Sequence, residues 1–466
     1  MAISEEIMQK LADIVGVDDC KSHDFELAAY SNSMIYGTPT RPDVILLPEN
    51  EEEISEIMKL ATAEVIPVVV RAGGTAGPIS MADGGIMLDL AKMNKIIRID
   101  PEAKMVTLQA GVRLYDMVQE LRKVGHDMPL KFWGGNGTTV GGYVNGPSLV
   151  GTRVARYGTL HYWCFGLRVV LPTGEIVATG TNAYENQTHP TMGDPWMCPN
   201  PLGKIWLQSL GTLGVVTEAT FLMVPVREAS KHLAYGFKSV EALRDAASAV
   251  QLADAATDIE HEDKDIYEIL GMPLPDEGYV MCLVVTNEGY KEEVERKADV
   301  AARIMKEHGG TELPVEYAHL TYDNTANFNF STAKGGMFCC AAACASPGTY
   351  PESYWAIKET WDKYNIRNGW SCWTCYPNWN QGWTIGYYDY ETQFDDYQMA
   401  MFEINKKGLL IENSFPYTFH ESYEEYIQKI KDCLDPAGIM NPNGWFMVSG
   451  AQYRLVEALE IPGTDE

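Results

Sequence analysis

The spacing of apolar positions changes several times along this chain, and each change predicts an element. From Glu5 to Ile14 apolar residues recur at helical spacing. Asp43–Pro48 is a short apolar run, read as a buried strand. Asn50 then stands as an N-cap before Glu51, Glu52 and Glu53, opening a helix to about Ala63. A β-branched run from Val65 to Val70 stops at Arg71 and gives way to Gly73-Gly74-Thr75-Ala76-Gly77. Strands are expected at Ile86–Leu90, Ile96–Asp100 and Met105–Gly111, with a helix from Leu114 to Val124. Phe165–Leu171 and Ile176–Gly180 flank the turn Pro172-Thr173-Gly174-Glu175 and read as a hairpin. A strand at Glu218–Val224 ends at Pro225.

Beyond residue 226, helical stretches at Val240–Ala253 and Tyr290–His308 alternate with a strand at Tyr279–Val285. That alternation predicts a smaller antiparallel sheet with helices on one face. From about residue 350 aromatics crowd, and His420–Cys433 is helical. The class is α+β. The expected division is a helical segment (1–40), a glycine-loop domain (41–226), a second domain (227–407) and a closing segment (408–466).

The glycine loops change the picture most. The first spans Arg71, Ala72, Gly73, Gly74, Thr75, Ala76 and Gly77. The second carries Thr138, Thr139, Gly141, Gly142 and Asn145, and the third Gly211, Gly214, Val215 and Val216. Glycines at strand ends let backbone N–H groups approach an anion without any lysine. After the first loop Pro78 and a second turn follow, and the next apolar segment is too short for a crossover helix. That argues against a Rossmann unit, and the lack of a Gly-Lys-Ser/Thr ending argues against a P-loop. Three such loops in one domain suit one long dinucleotide.

Composition narrows the classes. With 466 residues the chain can build more than one core. The net charge of −28 argues against nucleic acid or an anionic membrane as partner. The start, Met1-Ala2-Ile3-Ser4-Glu5-Glu6, is acidic where a signal peptide is basic, and no run is long and apolar enough to span a membrane, so a cytoplasmic protein is expected. Ten cysteines then read as free thiols. Cys372-Trp373-Thr374-Cys375 has CxxC spacing but no matching second pair, so buried packing is favoured over metal binding.

Several stretches together resemble the FAD-binding domain of the vanillyl-alcohol oxidase / p-cresol methylhydroxylase superfamily, which includes glycolate-oxidase and D-lactate-dehydrogenase types. They are Arg41–Pro48, Arg71–Thr75, Leu88–Ile96, Thr139–Gly142 and Gly211–Glu218, with Leu434–Pro442 similar to the family's closing turn. The resemblance implies FAD, with the first loop on the pyrophosphate, Thr138, Thr139, Gly141 and Gly142 on its second side, and Val216 near the third. Arg156, Tyr157 and Gly158 are further cofactor candidates on the same ground. It also implies a cap over the flavin made from residues after 226. Thr75 stands where some members attach flavin through a histidine.

Hydroxy-acid members carry histidine-rich stretches that this chain lacks, whereas Arg156–Leu167 and Gly408–Asn413 resemble segments of the phenol-oxidising branch. The expectation is therefore an FAD-dependent oxidoreductase acting on a small alcohol- or phenol-like substrate. The alternatives are a 2-hydroxy-acid dehydrogenase, with Arg367 as carboxylate clamp, and a flavin electron-transfer subunit without a substrate. Tyr376, Tyr387, Glu412, Asn413 and His420 are the catalytic candidates, with His161 beside them. Trp379, Trp383, Tyr387 and Tyr390 would wall a substrate slot unless they build a core. An electron-transfer partner protein and a homo-oligomer are expected, and no metal.

Overall fold

The computed structural model describes residues 3–31, 41–74, 84–131, 137–146, 151–180, 201–275, 277–322, 337–406 and 421–442. Its first sheet runs, edge to edge, Cys20–Lys21, Val44–Leu46, Ile86–Asp89 and Val68–Arg71. The last three are parallel, and Cys20–Lys21 adds antiparallel to Val44–Leu46. The N-terminal segment thus contributes a strand as well as the expected helix Glu5–Val15, whose Leu11 is fully buried in this core.

The helix Glu51–Glu64 illustrates how the sequence sets its own limits. The Asn50 side chain accepts from the Glu53 backbone N–H at 2.9 Å and donates to the Glu53 carboxylate at 2.7 Å. Ile54, Ile57, Met58 and Ala61 recur at helical spacing and are fully buried against the sheet. The helix stops where Val65 turns left-handed, two residues before Pro67.

A second sheet, antiparallel, has the order Ile96–Asp100, Met105–Gln109, Val215–Leu222, Cys164–Val170 and Ile176–Ala178. It packs on the helices Leu114–Lys123 and Val140–Asn145, with Trp163 between Tyr143 and Phe221.

The sheet beyond residue 226 is larger than the smaller one expected. It has seven strands, in the order Thr311–Leu313, Ala229–Phe237, Met281–Gly289, Asp258–Asp263, Arg367–Cys375, Trp379–Tyr388 and Met337–Ala345. Asp258–Asp263 reads Asp-Ile-Glu-His-Glu-Asp, so its charge hides a strand buried on both faces. The aromatic tract is a hairpin, Arg367–Cys375 with Trp379–Tyr388.

The two faces of this sheet differ. On one, the helices Val240–Leu252, Lys291–Glu307, Tyr350–Lys363 and Tyr390–Lys406 bury Trp361, Trp370, Cys372 and Tyr388. On the other, Trp373 and Cys375 pack into the core of the second sheet, against Met128, Val154 and Trp206. Cys372 and Cys375 therefore belong to different cores as buried free thiols, because three residues along a strand reverse the side-chain direction.

Candidate functional site

The three glycine loops converge on the short helix Val140–Asn145. A Cβ at Gly73 would run into the Gly137 carbonyl. A Cβ at Gly141 would lie 2.9 Å from that of Ala110 and 3.3 Å from that of Ala72. Glycine is needed at both positions because the first two loops touch backbone to backbone. The third loop joins through Asn145, whose carbonyl accepts from the Leu210 N–H at 3.0 Å and whose side-chain oxygen accepts from the Ser209 hydroxyl at 3.1 Å.

The closing segment locks this arrangement. Lys431, 2% exposed, donates to the Thr212 carbonyl at 2.6 Å, the Asp435 carboxylate at 2.6 Å and the Met440 carbonyl at 2.9 Å. Burial pulls the Lys431 ammonium below its ordinary value, and Asp435 opposes that pull. Val68 donates to Ile439, and Asn441 returns a bond to Val68, so the chain's last described residues pair with its glycine-loop strand.

Within this cradle the Thr139 hydroxyl is buried and makes no hydrogen bond to protein. A buried hydroxyl without a partner costs free energy unless something fills the place. Together with glycine at the points of closest approach, it suits the phosphates of a dinucleotide. Arg71 closes one side, its guanidinium 4.4 Å from the centre of the Tyr30 ring. The Tyr30 hydroxyl donates to Asp89 at 2.6 Å, a contact the sequence did not suggest. Thr75, Ala76 and Gly77 lie outside the described residues.

Other candidates sit elsewhere. Arg156 donates to the Glu288 carbonyl at 3.3 Å and pairs with Glu293, and Tyr157 accepts from Arg227. Arg156 thus reaches across the seam to the Met281–Gly289 strand. Gly158 ends the helix Val154–Tyr157 with φ 65°. Gly211, at φ 69°, faces open space, while Val215 and Val216 are buried strand residues. Tyr376 is 46% exposed, edge-on to Tyr162 at 5.5 Å. Tyr387 is half-buried opposite Arg367, which is exposed. Burial lowers the half-buried His161. Glu412, Asn413 and His420 lie outside the described residues. Among the described residues the loop candidates lie together, and of the catalytic candidates only Tyr376 and Tyr387 are described.

A second constellation faces the glycine-loop domain. Asp258, Glu260 and Glu262 alternate along one strand, so they share the sheet face that carries Ser371 and Trp373. All three carboxyls are at most 1% exposed. Arg153 fixes their position at the seam: its N–H donates to Asp258 at 2.6 Å. Its side chain donates to the Met128 carbonyl at 3.0 Å and pairs with Glu288 at 2.7 Å. Burial, then the Glu260 charge, pushes Asp258 and Glu262 well above the usual carboxylate range. Ser371 donates to Glu262 at 2.8 Å, leaving the other Glu262 oxygen without a donor. The trio is not among the residues singled out from the sequence. No local signal marks it, because the aromatic tract that pairs with this strand lies far away in the sequence. Among the described residues no group of three His, Cys, Asp or Glu side chains is placed to hold a metal ion. Nor is any helix there long and apolar enough to cross a membrane.

A family model described as "FAD binding domain" matches residues 42–180, and "FAD linked oxidases, C-terminal domain" matches residues 407–444. The glycolate oxidase subunit GlcD of Bacillus subtilis is 27% identical over 65% of this chain and 64% of its own. A D-lactate dehydrogenase of Anaerostipes hadrus is 32% identical over 51% of this chain and 48% of its own. The chain thus spans between about half and two-thirds of the length of these curated relatives. A solved p-cresol methylhydroxylase with substrate bound superposes at a TM-score of 0.79, with 18% identity, over 95% of this chain and 96% of that one. The first match contains the first two glycine loops, and the second contains Lys431, Asp435 and Asn441.

Proposed function

We propose that this chain, which matches an FAD binding domain at residues 42–180 and the FAD linked oxidases C-terminal domain at residues 407–444 and shares its fold with p-cresol methylhydroxylase, is an oxidoreductase that oxidises a small alcohol- or phenol-like substrate. The observation that carries this reading is the convergence of three glycine loops on Val140–Asn145, with the Thr139 hydroxyl buried and unpartnered among them. Ala72, Gly73, Gly74, Thr138, Thr139, Gly141 and Gly142 would hold the pyrophosphate, and Gly211 to Val216 the third side. When bound, FAD supplies a two-electron acceptor that takes hydride from a substrate carbon.

The protein's own part is to orient the substrate, keep water out and hold the proton released from its hydroxyl. The seven-stranded sheet closes over the glycine-loop domain through Arg153, Trp373 and Cys375, which makes that seam dry. Low polarity there strengthens each polar contact with a substrate. Electrons would leave for a second acceptor, and a basic electron-transfer protein suits a chain of net charge −28.

The named relatives favour a second reading, oxidation of a 2-hydroxy acid. It needs a cation for the substrate carboxylate. Arg367, the candidate from sequence, is exposed at a strand end. The deciding experiment is an anaerobic visible titration of the FAD-loaded protein with phenols, benzylic alcohols and 2-hydroxy acids. Bleaching by the first two supports the main reading and bleaching by the last alone supports the second. A protein that retains no FAD after reconstitution overturns both.

A further inference from the structure

We propose that Tyr30 is a positioning residue for the first glycine loop, keeping the Arg71 guanidinium from pairing with Asp89 and holding it for the diphosphate of the dinucleotide. The inference rests on the flavoprotein reading above. It gives a role to the helix Asp24–Ala29 and its cap Tyr30, which precede the matched FAD binding domain.

The first observation is a pair of charges that does not pair. Arg71 and Asp89 are register partners at the ends of neighbouring parallel strands, so their side chains leave the sheet on one face. Opposite charges placed in this way ordinarily meet. Here Tyr30 touches both instead. The guanidinium carbon lies 4.4 Å from the centre of its ring, and its hydroxyl donates to one Asp89 oxygen at 2.6 Å. The Ala91 backbone N–H donates to the other oxygen at 2.9 Å, so the carboxylate is satisfied without a cation. Among the described residues the Arg71 N–H donors enter no hydrogen bond and no ion pair.

The second observation is where those donors lie. A side chain at Gly74 would run into the guanidinium, and Gly73 beside it already abuts Gly137 and Thr139 of the second loop. Arg71 thus stands at the carboxyl end of a parallel strand, where such sheets receive ligands. The place is open: Tyr30, Arg71, Gly73 and Gly74 are all partly exposed.

The third is that Tyr30 is itself fixed. Its helix lays Leu27 on Ile45, Val69 and Met87, and Tyr30 packs against that cluster. Val69 and Met87 precede Arg71 and Asp89 by two residues, so the helix covers the face from which the two charges rise. Burial, then the bond to Asp89, raises the Tyr30 hydroxyl above its ordinary value, which keeps it a donor. A guanidinium stacked on an aromatic face keeps its donor edge free for phosphate oxygens, whereas one paired with Asp89 has spent both edge and charge.

The experiment titrates FAD into the full chain prepared without flavin, reads the quenching of flavin fluorescence, and follows thermal melting of each variant. Tyr30→Phe keeps the ring and removes only the hydroxyl that occupies Asp89. Its FAD affinity is expected to fall by about tenfold, the scale of a charge-assisted contact. Adding Asp89→Asn should return affinity to within about threefold of wild type, because the amide does not capture the guanidinium. In an Arg71→Met background Tyr30→Phe should change FAD binding by less than about twofold. A scaffolding role would leave the loss in place in both backgrounds. If Tyr30→Phe does not fold, Tyr30→Leu is compared with Tyr30→Leu/Asp89→Asn, and the same restoration is expected. Unchanged affinity in Tyr30→Phe, a loss that Asp89→Asn does not relieve, or an equal loss with Arg71→Met overturns the proposal, while FAD uptake by the wild type leaves the oxidoreductase reading standing. A wild-type protein that takes up no FAD is a failure of that reading instead.

Discussion

The glycine cradle and the acidic wall of Asp258, Glu260 and Glu262 lie on opposite sides of one seam and solve burial in opposite ways. The cradle removes side chains, so that at Gly73 and Gly141 there is no room for a Cβ against the neighbouring loop. The wall brings in the most costly side chains available and buries them on a strand. The cradle is therefore intolerant of added volume, while the wall is sensitive to charge. Substitutions that move these two properties independently test the contrast.

The largest effect is expected from Gly73→Ala. The new methyl has no space beside the Gly137 carbonyl, so FAD retention should fall by two orders of magnitude or more, about 3 kcal/mol, read from the visible spectrum after gel filtration. A variant that keeps stoichiometric FAD would mean that the two loops do not meet as described.

Next is Lys431→Met. It leaves Asp435 buried without its cation and frees the Thr212 carbonyl, so unfolding free energy should drop by about 3 kcal/mol in denaturant titration.

The wall's own strand then gives a pH signature. His261, fully buried between Tyr350 and Thr374, is pushed down to about 3 by burial. Its folded value lies below the ordinary unfolded value of about 6.5, so its contribution is complete above that pH and is lost as pH falls toward 3. His261→Gln should flatten the acid limb of melting temperature against pH, by up to about 4 kcal/mol at its foot. Asp263 runs the other way. Burial raises it to about 6, against the pull of Lys358, so its contribution is present below the unfolded value and lost as pH rises through 6. Asp263→Asn should remove that loss.

The smallest change is expected at Cys375→Ala, which empties a small space in the cradle-side core. A loss of about 1 kcal/mol and an unchanged flavin spectrum are expected. A redox-dependent spectrum in the wild type that disappears in this variant would contradict the packing role.

The same contrast explains what could be read in the sequence. Asn50 with Glu53 fixed a helix start from local chemistry alone, and glycines at strand ends marked the cradle, because a missing Cβ acts on its own residue. Asp-Ile-Glu-His-Glu-Asp could not be recognised as a central strand, since what buries it comes from Arg153, Ser371 and Trp373, far away in the chain. Lys431 was illegible for a similar reason: nothing near it in sequence signals that its ammonium reaches Thr212 and Met440 as well as Asp435. The aromatic tract was visible as a cluster, yet only the strand pairing separates Trp370, in the helix-side core, from Trp373 at the seam.

The pairing of Val68 with Ile439 and Asn441 also sets an order of events during synthesis. The first sheet of the amino-terminal half finds its last partners only after residue 441 has left the ribosome, when the intervening seven-stranded sheet has already had time to form. A nascent chain stopped before Lys431 should therefore hold a protease-resistant second domain beside a first domain whose edge is still open. Emergence of the final latch would close both at once.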